Sequence, residues 1–169
     1  MSLARIEYDK RGCEFSEDKK YRWSLYRFWT EGPRILFAMH NPSDADFSKW
    51  PYVTDPTQER IADFSKRLGY GGLYVWNLYG YRTPYPRVLK TIEDPIGELN
   101  DQKLLELLGK TEITVGAWGC QNNKKFHERA ESVKKTLLSV RPIYCLETSK
   151  DGCPRHPLYL KHTLKLKLL

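Results

Sequence analysis

The chain has 169 residues, of which 40% are hydrophobic, and this length suits one well-buried core rather than two ordinary domains. It contains no run of about 18 apolar residues that would span a bilayer, and residues 1–10 have no apolar stretch typical of a signal peptide. The formal charge of +7 favours an anionic partner such as nucleic acid or a nucleotide, although lysines of the last nine residues supply part of it.

Two strands are predicted in the N-terminal third. Residues 21–29 are rich in aromatic side chains without a helical period, which favours a β-strand. After Gly32 and Pro33, residues 35–39 form a continuous apolar run, which is typical of a strand buried on both faces. A parallel sheet is therefore expected to begin with residues 35–39.

A helix is predicted to begin directly after Asp55. Asp55 can cap the helix, Pro56 suits the first helical position, and Gln58 can reach back to complete a capping box. Apolar residues then recur at helical spacing, and Gly69 supplies a stop.

The alternation of strands and helices continues towards the C terminus. Strands are predicted over residues 73–78, 113–118 and 143–146, and helices over residues 100–108, ended by Gly109, and from a cap at Asn123 to Leu137. This order predicts βαβ units, and hence a single α/β domain over residues 1–169: a three-layer sandwich with a mainly parallel central sheet. Residues 161–169 alternate leucine with lysine, so this basic tail is either an edge strand or a frayed terminus.

Four loops, together rich in Asn, Asp, His and Arg, follow the predicted core strands. They carry residues 40–46 after the first strand, Asn77, Tyr79, Tyr81 and Arg82 from the end of the second, Trp118 and Gly119 at the end of the third, and Arg155 and His156 after the fourth. Because ligands of parallel sheets bind beyond the carboxyl ends of the strands, we expect Asn41, Asn77, Arg82 and His156 to approach one cleft.

Each of these residues also has a purely structural interpretation. Asn41 with its following proline suits a turn, and Asp55 suits a helix cap. Asn77 can be a satisfied buried amide, Arg82 a surface charge and His156 a surface loop residue. Their joint placement at strand ends favours a site more than any one of them does.

The cysteines give no sign of a metal site. Cys13, Cys120, Cys145 and Cys153 are widely scattered, without the CxxC spacing of a zinc site or the density of a disulfide scaffold. We expect four reduced thiols in a cytoplasmic protein, with neither a structural zinc nor another cofactor.

Nine blocks of residues, in order and spacing, resemble the domain-of-unknown-function family numbered 1643. The resemblance covers residues 21–160; the blocks include residues 21–29, 39–46, 55–57, 69–72, 77–82, 94–97, 100–101, 118–119 and 151–159. Two departures are visible, because the family usually has leucine where this chain has His40 and threonine where it has Asp44. The resemblance implies no settled activity.

A looser resemblance is to the uracil-DNA glycosylase superfamily, which carries four short motifs in the same chain order. Here they are Asn41-Pro42, Asn77, Trp118-Gly119 and His156-Pro157, each after a predicted strand. The resemblance implies the fold of that superfamily and three roles. Asn41 would orient a water molecule, Asn77 would bind the edge of a base, and His156 would donate to negative charge on the base.

The same resemblance implies a wider binding surface. Tyr79, Tyr81 or Phe47 would stack on the base, and Arg82, Arg155 and Lys124-Lys125 would meet phosphate. Pro42, Ser43, Asp46, Trp118 and Gly119 complete the set of expected binding residues.

Three classes of function remain open at this point. The first is hydrolysis of an N-glycosidic bond in a base or nucleotide, and the second is binding of a nucleotide or nucleic acid without catalysis. The third is metal-assisted phosphoryl transfer with Asp44, Asp46 and Asp55 as oxygen ligands, since carboxylate sets suit Mg²⁺.

Overall fold

A computed structural model describes residues 8–169, so most of residues 1–10, on which the prediction about a signal peptide is based, lie outside the described part of the chain. The strands of this part are β1 (Lys10–Phe15), β2 (Arg22–Phe28), β3 (Arg34–Met39), β4 (Gly72–Asn77), β5 (Ile113–Gly116), β6 (Ile143–Cys145) and β7 (Lys167–Leu168). Its α-helices are α1 (Pro56–Arg67), α2 (Asn100–Lys110) and α3 (Lys124–Val140). Two short 3₁₀ helices cover Pro86–Lys90 and Pro157–Tyr159.

All seven strands join one mixed sheet in the order β1-β2-β4-β3-β5-β6-β7. The four middle strands, β4, β3, β5 and β6, run parallel to one another. The outer strands β1, β2 and β7 pair antiparallel. The α/β class is therefore confirmed, and the prediction of a parallel sheet holds for its middle.

Helices cover both faces of the sheet. Successive side chains of a strand point to opposite faces, so the apolar run of β3 supplies two cores. Leu36 and Ala38 pack with apolar residues of α2 and α3, whereas Ile35 and Phe37 pack with those of α1. This double burial explains why the sequence of β3 is apolar without alternation.

The start of α1 agrees with the sequence in part. The Asp55 side chain accepts from the backbone N–H of Gln58 at 2.9 Å, and Pro56 occupies the first turn. The expected capping box is incomplete, however, because the buried Oε1 of Gln58 has no hydrogen-bond partner. After the helix, Gly69 adopts a φ of 87°, a conformation that favours glycine.

Some element ends differ from the prediction. α2 continues through Gly109 to Lys110, so this glycine does not end the helix. β5 ends at Gly116, which leaves Trp118 in the following loop. In the tail, Lys167–Leu168 forms an edge strand against β6, and residues 161–166 are irregular.

The expectation of four reduced thiols is wrong for two of the cysteines. Cys120 and Cys153 form a disulfide with a Cα–Cα distance of 5.2 Å, while Cys13 and Cys145 are free. The two half-cystines are 33 residues apart in sequence. They meet because β5 and β6 are neighbouring parallel strands, so the loops that follow them leave the same sheet edge.

No helix within residues 8–169 has the length and apolar character needed to cross a membrane.

Candidate functional site

A cavity of about 430 Å³ lies at the edge where the parallel strands end. Each of the four loops expected to converge contributes to its wall: Asn41 after β3, Asn77 at the end of β4, Trp118 after β5 and His156 after β6. A volume of this size falls within the range of about 300–1,000 Å³ typical of small-molecule sites.

The cavity has a buried floor and an exposed mouth. Met39, Val75 and Asn77 form part of the floor, and each is at most 4% exposed. The mouth is lined by the 3₁₀ helix Pro86–Lys90, from which exposed Arg87 and Lys90 reach the cavity.

The Asn41 side chain joins two of the converging loops. Its Nδ2 donates to the carbonyl oxygen of Thr83 at 2.7 Å and to that of Pro42 at 3.2 Å. The backbone N–H of Thr83 in turn donates to the Pro42 carbonyl. Since both amide hydrogens are used by the protein, the Asn41 group left for a ligand or water molecule is the acceptor Oδ1.

Asn77 is held by a buried arginine from another strand. Arg22 Nη2 donates to Asn77 Oδ1 at 3.3 Å, and Arg22 Nη1 donates to the Ala45 carbonyl at 3.0 Å. The Asn77 carbonyl accepts from Asn100 Nδ2 at 2.9 Å, which fixes the strand end. Because Oδ1 of Asn77 accepts from Arg22, the Nδ2 group is the donor that Asn77 offers to the cavity.

His156 is fixed in one tautomer. Its Nδ1 accepts from the backbone N–H of Leu158 at 3.3 Å, so Nδ1 carries no proton. Burial lowers the pKa of His156, while the nearby Asp55 carboxylate opposes that shift. The neutral imidazole therefore carries its proton on Nε2, which makes His156 a hydrogen-bond donor to the cavity.

Asp55 is the carboxylate that lines this cavity among the residues described. Asp55 is half-buried; its side chain caps the N-terminus of α1 and also lines the wall of the cavity. The cationic side chains of the lining are Arg22 in the floor and Arg87 and Lys90 at the mouth. Three cations against one carboxylate make the lining favourable for an anion.

Aromatic rings form the wall beside His156. Trp118 and Phe126 line the cavity, as does His40. The His40 ring lies edge-on to Phe126 and Tyr79, with centroids 5.4 Å and 5.2 Å apart. Burial, with His156 nearby, lowers the pKa of His40 to about 4, so this ring is neutral and behaves as part of the aromatic wall.

Several expected binding residues lie outside the cavity lining. Tyr79 is buried in the core, where burial raises the pKa of its hydroxyl to about 12. Arg82 donates to the Lys19 carbonyl and stacks on Phe15, and Arg155 pairs with Glu147 at 2.6 Å. The remaining ones are Pro42, Asp46 and Gly119, together with the stacking candidates Phe47 and Tyr81 and the two lysines Lys124 and Lys125. The structure thus brings Asn41, Ser43, Asn77, Trp118 and His156 together and leaves the expected phosphate contacts elsewhere.

The three aspartates of the metal hypothesis do not gather at one point. Asp55 lines the cavity, Asp44 is exposed, and Asp46 Oδ1 accepts from the backbone N–H of Ser48 at 2.8 Å. Within residues 8–169, no group of three His, Cys, Asp or Glu side chains is arranged to hold a metal ion.

Sequence reasoning missed the three cations of the lining, Arg22, Arg87 and Lys90. Arg22 lies in β2, which runs antiparallel to β4, so the amino end of β2 meets the carboxyl ends of the parallel strands. The signal for Arg22 was a charged residue beside aromatic ones in a predicted strand. Arg87 and Lys90 had no signal, because their 3₁₀ helix follows no regular pattern.

The fold and site define an α/β protein with a polar cavity at the edge of one mixed sheet. The chain belongs to the family described as "Protein of unknown function (DUF1643)", whose model matches residues 22–158. No curated protein and no solved structure matches the chain.

Proposed function

We propose that the cavity binds a nucleobase-containing ligand and hydrolyses its N-glycosidic bond. The observation that carries this proposal is the meeting of Asn41, Asn77, Asp55 and His156 in one cavity with complementary roles. The motif order similar to the uracil-DNA glycosylase superfamily supports it, because three of these residues belong to the compared motifs.

The base would occupy the floor, against the aromatic wall. Asn77 Nδ2 and His156 Nε2–H would donate to acceptor atoms on its edge, and the rings of Trp118 and Phe126 would pack on its faces. These rings replace Tyr79, Tyr81 and Phe47, which lie outside the lining.

In the reaction, the bond between the base and the sugar breaks with its electron pair moving to the base. His156 would stabilise the negative charge that grows on the base, as preorganised donors do in other hydrolytic sites. A water molecule held by Asn41 Oδ1 would attack the sugar carbon and pass its proton to Asp55. Asp55 is a stronger base than the Asn41 amide, so it is the better water activator.

The second candidate is binding of a nucleotide without catalysis. The excess of cations in the lining favours binding alone as much as it favours hydrolysis. Arg87 and Lys90 at the mouth suit the phosphate of a nucleotide whether or not the nucleotide is cleaved.

The test is release of free base, measured by chromatography, from nucleosides, their 5′-monophosphates and single-stranded oligonucleotides. We expect release from at least one of them at a rate proportional to protein concentration. If no free base is released from any of these compounds, whether or not they bind, the proposed hydrolysis is rejected.

A further inference from the structure

Within the described part of the chain, the arginine in the cavity floor has no carboxylate in contact with it; burial lowers the pKa of Arg22, and the Asp55 and Asp46 carboxylates oppose that shift only from a distance. Arg22 is 2% exposed, and its hydrogen-bond acceptors are two neutral groups, the Ala45 carbonyl and the Asn77 amide oxygen. Its buried Nε has no partner at all. Among residues 8–169, no carboxylate forms an ion pair with Arg22.

Burying a charge without a partner is costly. Removal of a guanidinium from water carries a large free-energy penalty, which a hydrogen-bonded anion in good geometry can offset. Cys13 does not serve as a partner, because burial raises the pKa of its thiol and keeps it neutral. An anionic group that enters the cavity and contacts Arg22 would therefore offset this penalty.

Two side chains at the floor offer donors to a ligand, whereas the buried Oε1 of Gln58 in the same lining is an acceptor without a partner. Asn77 directs its oxygen to Arg22, which leaves Nδ2, and His156 offers Nε2–H. Asn122 and Asn123, at the start of the 17-residue helix α3, also line the cavity, where the Asn123 side chain accepts from the backbone N–H groups of Lys125 and Phe126. A ligand edge that presents acceptors with negative charge satisfies Arg22 and the two side-chain donors, and a donor elsewhere on the ligand suits Gln58 Oε1.

We propose that Arg22 is the charge partner of the ligand and that the floor of the cavity takes the negatively charged edge of a planar heterocycle. This inference deepens the proposed function and rests on it for the identity of the heterocycle as a base. In the hydrolysis, Arg22 would hold the base anion at the moment when the glycosidic bond breaks.

The test compares two isosteric free bases, so that it requires no catalysis. Uracil is neutral at pH 8, whereas 6-azauracil has a ring N–H that ionises near neutral pH and is an anion at pH 8. We expect calorimetry to show 6-azauracil binding at least about tenfold more tightly than uracil, since hydrogen bonds to charged groups are the stronger ones. Cytosine, which replaces an acceptor with an amino donor, should bind more weakly than uracil.

Two variants remove the charge of the floor in different ways. Arg22→Gln deletes it, and Asn77→Asp neutralises it by placing a carboxylate against Arg22, so one informative variant remains if the other fails to fold. Both should reduce the preference for 6-azauracil to less than about threefold. Arg67→Gln is the control, because it makes the same change as Arg22→Gln at an exposed position of α1 outside the cavity lining and should leave the preference unchanged.

Equal binding of the two bases to the wild-type protein, or a preference that survives both variants, overturns the role of Arg22. If the wild type prefers 6-azauracil but releases no base from any substrate, Arg22 is an anion-binding residue and the proposed hydrolysis is wrong. If Arg22→Gln releases base as fast as the wild type, the hydrolysis stands and the role of Arg22 in it is wrong.

Discussion

Arg22 Nη2 donates to Asn77 Oδ1 at 3.3 Å, across the boundary between the antiparallel and the parallel part of the sheet. The contact sets the orientation of the Asn77 amide, because a guanidinium can only donate. The contact also places the Arg22 guanidinium and the Asn77 amide donor side by side in the floor of the cavity.

Asn77→Asp is predicted to stabilise the free protein while weakening ligand binding. The new carboxylate would give buried Arg22 the partner it lacks, which should raise the free energy of unfolding by about 1 kcal/mol. Chemical denaturation at pH 7.5 measures this, with Asn77→Leu as the control that removes the acceptor and should destabilise. A less stable Asn77→Asp protein would show that Arg22 is already neutralised.

The two roles of Asp55 can be separated by substitution. Asparagine caps helices as well as aspartate does, so Asp55→Asn should change stability by less than about 0.5 kcal/mol, whereas Asp55→Ala should cost about 1 kcal/mol. If Asp55 accepts the proton of the attacking water, both variants should lose base release by at least about 100-fold. Full activity in Asp55→Asn would restrict Asp55 to capping.

His40 should make the protein less stable at acidic pH. Its pKa is about 4 in the folded chain and about 6.5 in the unfolded chain, so the unfolded state binds the proton first. The free energy of unfolding should therefore fall between pH 6.5 and pH 4 by up to about 3 kcal/mol through this group alone.

Denaturation curves of the wild type and of His40→Leu across this pH range isolate that contribution. The leucine variant should be at least as stable as the wild type at pH 7.5, because the buried Nδ1 of His40 has no partner. The matched control is His127→Leu, at an exposed position on α3, which should keep the acid sensitivity of the wild type. Identical pH profiles for the wild type and His40→Leu would contradict the lowered pKa.

The disulfide should stabilise the fold and the loop that carries His156. It closes a loop of 33 residues, for which the loss of chain entropy in the unfolded state corresponds to about 4 kcal/mol. Dithiothreitol should therefore lower the melting temperature of the wild type and leave that of Cys120→Ser/Cys153→Ser unchanged. Peptide mapping without reduction provides the direct check, and free thiols at both positions would refute the bond.

The sequence predicted the middle of the sheet well because its signals there are local. The apolar run of β3 and the cap at Asp55 each depend on a few adjacent residues, and both appear in the structure. Strand ends were also predictable, so Asn41, Asn77 and His156 were expected together and line one cavity.

The remaining parts depend on contacts between distant segments. Nothing local shows that β2 runs antiparallel to β4, so Arg22 was not recognised as a floor residue. The pairing of Cys120 with Cys153 likewise follows from the adjacency of β5 and β6. Arg82 follows a strand end as the rule requires, yet its side chain turns to Lys19 and Phe15 instead.

The most direct test of the account is the rate of free-base release by the wild type and by His156→Phe, which keeps an aromatic ring and removes the Nε2–H donor. Tyr159→Phe, at an exposed position in the same loop, serves as the control. We predict release by the wild type and by Tyr159→Phe, and a rate at least about 100-fold lower for His156→Phe, as when one oxyanion donor is lost. Equal rates for the wild type and His156→Phe would contradict the proposed site.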